Sequence, residues 1–179
     1  MCDQISTSTL EDVGVATFYS SFAYALLTLV QSGILAFANP RLIALHGSRH
    51  TGKFSHEVRQ ATWNVASAAG IMGLALAVIV PLLGVYTRQP ALVNGAPTLW
   101  LMLLGTWIRS NAETINCVLY ARHQDRAIWL DNFLFLIPAV GGDPFLVPLF
   151  GLPGIGCSTM LAASFLLLWR LEHSRQYAK

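Results

Sequence analysis

The sequence predicts an all-α membrane protein with five transmembrane helices, its N-terminus outside and its C-terminus in the cytoplasm. Apolar residues make up 54% of the 179 residues and charged residues only 11%, whereas an ordinary soluble domain has roughly 25% charged residues. No charged residue occurs between Asp12 and Arg41 or between Arg59 and Arg88. Each of these gaps exceeds the ~20 residues that cross the hydrocarbon layer of a bilayer.

The first three predicted helices follow the apolar stretches. The first covers residues 14–39 and ends where Pro40 removes a helical hydrogen bond. The second covers residues 61–86, and its Ala69, Gly73 and Ala77 recur every four residues. Such a ridge of small residues favours close packing against another helix in lipid. The third covers residues 97–121, with Pro97 in the first turn, where proline is tolerated.

The fourth predicted helix covers residues 127–149 and the fifth residues 152–169. The Gly-Gly-Asp-Pro step at residues 141–144 leaves two interpretations open. Either the fourth helix bends there and the chain turns at residues 151–154, or a short helix over residues 128–140 precedes a longer one from Phe145. The short helix would rise only about 20 Å, less than the ~30 Å hydrocarbon thickness, so we prefer the bent helix. Both interpretations give five crossings in a single transmembrane domain, residues 1–179.

The distribution of lysine and arginine predicts the orientation, because these residues collect in cytoplasmic loops. Four lie in the loop at residues 40–60, two between the third and fourth helices and three after Trp169, whereas the opposite side has only Arg88. The alternation therefore predicts that the N-terminus is outside and the C-terminus inside. In the basic cytoplasmic loop, residues 40–60, we expect four side chains to contact anionic headgroups. They are Arg41, Arg49, Lys53 and Arg59.

Charged residues inside the third predicted helix are the candidate site. Arg109, Glu113 and Asn116 follow one another at helical spacing and share one face. A charge at this depth costs at least about 2.5 kcal/mol on insertion scales, so it should face protein or a water-filled cavity. We expect Arg109 to offer a cation to an anionic substrate in the substrate pathway, with Glu113 holding or releasing it. The alternative is an internal ion pair that only fixes helix packing. Asp131 and Asn132 form a secondary polar pair, expected near the cytoplasmic interface.

Other motifs do not indicate catalysis. Residues 47–53 match part of a P-loop, but Phe54 stands where that motif needs Ser or Thr. His46 and His50 share a helical spacing without a convincing third ligand. The three cysteines have neither disulfide nor metal-binding spacing. We therefore expect no catalytic site, no metal or other cofactor and no nucleic-acid partner.

Three stretches are similar to segments of one known family. Residues 10–19, Leu-Glu-Asp-Val-Gly-Val-Ala-Thr-Phe-Tyr, resemble a segment that leads into a helix there, and residues 39–42, Asn-Pro-Arg-Leu, resemble the exit into a basic loop. Asn132, Pro138 and the Pro-Leu-Phe-Gly-Leu-Pro-Gly-Ile-Gly segment at residues 148–156 look like its penultimate hairpin. The family is the lipid-linked oligosaccharide flippases, in the polysaccharide-export branch of the multidrug/oligosaccharidyl-lipid/polysaccharide exporter superfamily. The chain resembles the last five helices of such a protein, part of one half of its bundle.

The resemblance implies an activity and a location. Family members move an undecaprenyl-pyrophosphate-linked oligosaccharide from the cytoplasmic to the outer leaflet of the bacterial inner membrane, in surface polysaccharide (O-antigen or exopolysaccharide type) biosynthesis. Cationic residues in a cavity between two helix bundles meet the pyrophosphate, a role for which Arg109 is this chain's candidate. As a partial flippase, the chain would need a second helix bundle or other polysaccharide-assembly membrane proteins as partners. The alternative from another class is a small membrane interaction or assembly subunit without transport of its own. A membrane enzyme is a weaker third alternative.

Overall fold

The computed structural model describes residues 2–47, 51–121 and 125–176. Within these ranges it does not describe the side chains of residues 2–12, 51, 125–128, 131, 132, 134, 139 and 173–176. The described residues are helical apart from short turns and contain no strand. The helices are α1 (Cys2–Val30), a π-helical turn (Gln31–Leu35), α2 (Ala36–Gly47), α3 (Thr51–Tyr86), α4 (Pro90–Asn94), α5 (Ala96–Ala121), α6 (Asp125–Phe150) and α7 (Leu152–Gln176).

Three helical segments among the described residues are long and apolar enough to cross a membrane. They are Val13–Gly47, Gly52–Tyr86 and Leu152–Glu172. Residues Phe135–Phe150 of α6 form a shorter apolar helix. The 26-residue α5 is long enough but does not belong to this group, because polar residues such as Arg109, Asn111 and Glu113 lower its mean hydropathy. The architecture is therefore all-helical, with a more polar α5 among more apolar neighbours.

The first helix does not end at Asn39, and that prediction was wrong. The chain stays helical from α1 through the π-turn and Pro40 to Gly47. Pro40 removes one backbone hydrogen-bond donor, but helix packing on both sides of the proline keeps the chain helical. Ala38 and Leu42 are buried on α2, which packs against α3. The π-turn lies just before this segment, and the Ala36 N–H bonds to the carbonyls of Gln31 and Ile34.

The predicted loop at residues 40–60 is largely helical, which is a second correction. α2 reaches Gly47, and α3 starts at Thr51 rather than at residue 61. Each 35-residue segment, Val13–Gly47 and Gly52–Tyr86, rises about 52 Å, so both exceed a ~30 Å hydrocarbon layer. Arg41 and Glu57 join α2 to α3 through an ion pair of 3.8 Å. The two helices therefore form a hairpin that continues past the apolar region.

α5 occupies the middle of the bundle, with the bounds that the sequence predicted to within one residue. It packs against α1, α3, α6 and α7. Against α3 it runs antiparallel, because the indole N–H of Trp107 donates to the Ala66 carbonyl (2.9 Å) and that of Trp100 to the Ala77 carbonyl (3.2 Å). The small-residue ridge of α3 is packed in part: a Cβ atom added at Gly73 would lie 3.9 Å from Leu26 of α1, while the ridge also borders an open groove. Ala69 on this ridge is fully buried.

α6 and α7 form an antiparallel hairpin closed by Gly151, whose φ of +65° suits glycine. α6 is a single helix although it contains Pro138, Pro144 and Pro148. This finding agrees with one fourth helix and not with a short helix ending at Val140. The turn is at Gly151 alone, because residues 152–154, predicted as part of the turn, already belong to α7. α7 continues to Gln176, seven residues beyond the predicted end at residue 169.

α7 lies parallel to α5, in close contact through two glycines. A Cβ atom added at Gly105 would lie 3.1 Å from the backbone of Met160, and one at Gly156 would lie 3.0 Å from the Thr98 carbonyl oxygen. Residue numbers thus increase in the same direction along both helices. This close parallel packing brings the last turns of α7 beside residues 112–113 of α5 and so positions the candidate site.

Candidate functional site

A buried arginine from α7 reaches the predicted polar face of α5. The Arg170 side chain is fully buried, and its Nη1 donates to the Ala112 carbonyl at 2.8 Å. The same nitrogen lies 3.3 Å from Oε1 of Glu113, whose side chain is only 14% exposed. The sequence predicted that Arg170 lies in a tail after the fifth helix, and this prediction was wrong. Because α7 continues past residue 169, Arg170 lies inside the bundle.

Glu113 uses both carboxylate oxygens. Oε1 faces Arg170, and Oε2 accepts a hydrogen bond of 3.1 Å from Nδ2 of Asn116. The predicted proximity of Glu113 and Asn116 on one face of α5 is therefore present in the structure. The Glu113–Arg170 pair thus joins α5 to α7 within the bundle.

Arg109 has a different environment from the one expected. Its guanidinium carbon lies 4.4 Å from the centroid of the Phe135 ring of α6, a cation–π contact. Its Nε is buried and makes no hydrogen bond. Among the residues with described side chains, no carboxylate lies within 4 Å of this guanidinium. The carboxylate expected to hold Arg109, that of Glu113, is bonded to Arg170 instead.

A small cavity adjoins Arg109 between α1, α5 and α7. Its volume is about 150 Å³. Hydroxyl groups line it together with the arginine: Ser20, Tyr24, Thr106 and Thr159. α1 and α7 make few contacts with one another, so the cavity lies where these two helices meet over α5. Ser20, Thr106 and Thr159 already donate their hydroxyl protons to carbonyls of their own helices. Arg109 is therefore the group of this cavity that suits an anionic ligand.

Among the described side chains beside Arg109 and Glu113, cations outnumber carboxylates. Arg109 and Arg170 contribute two positive charges, and Glu113 contributes one negative charge. The three groups together therefore carry a net charge of +1 within the bundle. In a low-dielectric setting an uncompensated charge is costly. An anion bound beside Arg109 would offset this cost.

A second surface is an open apolar groove between α3 and α5, with a volume of about 740 Å³. Small residues of α3 form one wall, among them Ala66, Gly70 and Gly73. Trp100 and Trp107 of α5 form part of the other wall. Both indole N–H groups already donate to carbonyls of α3. The groove therefore offers apolar surface rather than hydrogen-bond donors.

The remaining predicted residues are described only in part. Arg41, Lys53 and Arg59 are exposed on the α2–α3 hairpin, while Arg49 falls outside the described residues. The side chains of Asp131 and Asn132 also fall outside them, so their interfacial position stays a prediction. Within the P-loop-like segment, residues 48–50 also fall outside the described residues.

Sequence reasoning missed two polar groups. Arg170 directly follows the last apolar run, which makes it indistinguishable from an ordinary tail residue in a charge count. Asp143 accepts a hydrogen bond of 2.5 Å from the Ser158 hydroxyl, between α6 and α7. Its position between two apolar stretches was visible in the sequence, but it was considered only as part of a bend.

No family model matches the chain, no curated protein matches it, and no solved structure matches it.

Proposed function

We propose that the chain crosses the membrane five times, with its N-terminus outside and its C-terminus in the cytoplasm. The alternating directions of α1, α3, α5, α6 and α7 support this topology. So does the charge distribution, because exposed Arg41, Lys53 and Arg59 lie at one end of the bundle and Arg88 at the other. Lysine and arginine favour the cytoplasmic side. The proposed location is the bacterial inner membrane.

The proposed function is transport of a lipid-linked oligosaccharide in surface polysaccharide biosynthesis, with this chain as part of the flippase. The environment of Arg109 is the observation that carries the proposal. It is a cation inside a helical bundle that stacks on an aromatic ring and has no carboxylate within 4 Å among the described side chains. A guanidinium binds phosphate oxygens in a bidentate manner. The pyrophosphate of a polyprenyl-linked saccharide would supply the missing negative charge.

The position of the cavity supports a role for a partner. It is lined by α1, α5 and α7, whereas α3 lies on another side of α5 with its own groove. A second helix bundle facing α1 and α7 would enclose Arg109 in a central pathway. Alternating access requires two bundles that move against each other. We therefore propose that the chain transports only together with such a partner.

Transfer of a labelled lipid-linked oligosaccharide across the membrane tests this proposal. Inverted membrane vesicles from bacteria that express the chain are compared with vesicles that lack it. Faster transfer with the wild-type chain is expected, together with loss of this gain in Arg109→Ala. Arg59→Ala is the matched control, because Arg59 is an exposed arginine on the α2–α3 hairpin. Equal transfer with and without the chain would contradict the transport proposal.

The α3–α5 groove favours one competing function, that of an assembly subunit. Small residues let the backbone of another helix approach closely in lipid, so a transmembrane helix of a partner protein would fit the wall formed by Ala66, Gly70 and Gly73. In this alternative, the Glu113–Arg170 pair only fixes packing. The Arg109→Ala variant, tested in the assembled complex, distinguishes the two functions. Lost transfer by a complex that still assembles would refute the subunit alternative, whereas unchanged transfer would support it.

A further inference from the structure

The α6–α7 hairpin contains a carboxyl group within its apolar part. Asp143 lies in the apolar segment Phe135–Phe150, eight residues before Gly151. That separation places it roughly 12 Å along the helix from the turn. Ionisable side chains at such depth are costly and are retained mainly where they bind or move a charge. Asp143 is therefore a candidate functional group independent of Arg109.

Asp143 is bonded to a buried hydroxyl of the neighbouring helix. The Ser158 Oγ donates to its Oδ1 at 2.5 Å, and Ser158 is only 2% exposed. This distance is at the short end of the range for O–H···O hydrogen bonds. The helices are tightly packed at this level, because a Cβ atom added at Gly142 would lie 3.1 Å from that of Ser158. The bond thus spans a close contact between α6 and α7.

No cation neutralises Asp143 among the residues with described side chains, because none lies within 4 Å. Where α6 is described, its helix neighbours are α5 and α7. Cys157 is adjacent to Ser158 in the sequence. Arg109 contacts Phe135, which is eight residues from Asp143 and thus roughly 12 Å away along α6. Arg170 is twelve residues beyond Ser158, roughly 18 Å along α7. The other titratable side chains described on α5 and α7 are Glu113, Cys117, Tyr120 and Glu172.

The proline after Asp143 provides an acceptor for a proton. In an α-helix the carbonyl of residue 140 would accept from the N–H of residue 144, but Pro144 has no N–H. The Val140 carbonyl therefore lacks its helical donor. Aspartate side chains bond backbone groups three or four residues earlier, and Val140 is three residues before Asp143. A protonated Asp143 can donate to this carbonyl, whereas an ionised one cannot.

We propose that Asp143 is a reversible proton-binding site. In the ionised state its carboxylate accepts from Ser158. Uptake of a proton from water makes the carboxyl group neutral, and its new O–H donates to the Val140 carbonyl. The charge-assisted bond to Ser158 then becomes a weaker bond between neutral groups. Proton binding thereby loosens the contact between α6 and α7, whether or not the chain transports a lipid-linked saccharide.

Infrared difference spectroscopy of the chain in lipid nanodiscs tests the proposal, with spectra recorded over a pH titration and no saccharide present. The expected result is a carbonyl band of a protonated carboxyl group that appears on acidification and is absent from Asp143→Asn. Glu172→Gln is the control, because it removes an exposed carboxylate of α7 and should keep the band. Identical titrations of wild type and Asp143→Asn would overturn the proposal.

A second variant keeps the test decisive if Asp143→Asn does not fold. Ser158→Ala retains the carboxyl group and removes only the hydroxyl that donates to it. The band is expected to remain and to change frequency, because the carboxyl group loses a hydrogen-bond donor. A band with unchanged frequency in Ser158→Ala would contradict the proposed site. Neither readout depends on Arg109 or on transport, so a failure of this proposal is distinguishable from a failure of the proposed function.

Discussion

Removing the Glu113 carboxylate should destabilise the bundle strongly. Glu113→Gln keeps the side-chain shape and the possibility of a hydrogen bond to Asn116, but it removes the negative charge that lies 3.3 Å from Nη1 of the fully buried Arg170. Breaking a buried ion pair by removing one partner costs about 3–5 kcal/mol. Most of this cost is the desolvation of the remaining cation. We therefore expect a loss of unfolding free energy in this range.

Reversible unfolding in mixed detergent micelles measures this loss, followed by the helical circular dichroism signal. The exposed pair Arg41–Glu57 supplies the control. Its distance is 3.8 Å, and 74% of the Arg41 side chain is exposed, so Glu57→Gln should cost about 0–1 kcal/mol. The two carboxylate-to-amide changes are chemically identical, and they differ in the burial of the partner arginine.

A double-mutant cycle separates the ion pair from other effects of substitution. Arg170→Met removes the buried cation and retains an apolar side chain of comparable length. Adding Arg170→Met to Glu113→Gln should recover at least about 1 kcal/mol relative to the sum of the single changes, because contacting residues are coupled. A Glu113→Gln variant within about 0.5 kcal/mol of wild type, the range of a surface substitution, would refute the buried pair.

Three further predictions follow from the helix contacts and the proposed topology. Gly105→Leu should separate α5 from α7 and lower the unfolding free energy by about 1–3 kcal/mol, as overpacking does, and thermal unfolding in detergent measures it. Trp107→Phe should lower the free energy of unfolding in the same assay by about 0.5–1.5 kcal/mol, the contribution of one hydrogen bond to α3. An unchanged free energy of unfolding would contradict that hydrogen bond. In a cysteine-free background, Lys53→Cys should react with an impermeant thiol reagent only from the cytoplasmic side and Arg88→Cys only from outside. Labelling of both from one side would contradict the topology.

The helices were predictable where local sequence alone sets their limits. Pro97 suits a first turn, and the apolar run after it ends near Ala121, so the observed bounds of α5, Ala96–Ala121, agree with the prediction. Pro40 was misleading, because a proline costs one hydrogen bond locally while packing of α2 against α3 sustains the helix. Helix limits that depend on tertiary packing cannot be obtained from hydropathy.

The candidate site was predictable in part. Helical spacing placed Glu113 and Asn116 together, since it depends only on the geometry of one helix. The partner of Glu113 was not predictable in this way. Arg170 reaches it because α5 and α7 pack in parallel register, and one-dimensional charge counting contains no information on that register. The hydrogen bond between Asp143 and Ser158 could not be predicted for the same reason, because it depends on how two helices pack.

Binding of a polyprenyl pyrophosphate to the chain in nanodiscs of zwitterionic lipid tests the central claim most directly. That claim is that Arg109 is an intramembrane cation that receives an anionic lipid. Wild type should bind the pyrophosphate saturably and the corresponding uncharged polyprenol not at all. Hydrogen bonds to charged groups contribute about 1.5–3 kcal/mol, so Arg109→Ala should weaken binding roughly ten- to hundredfold, while Arg59→Ala should leave it unchanged. Equal affinities of wild type and Arg109→Ala would contradict the account.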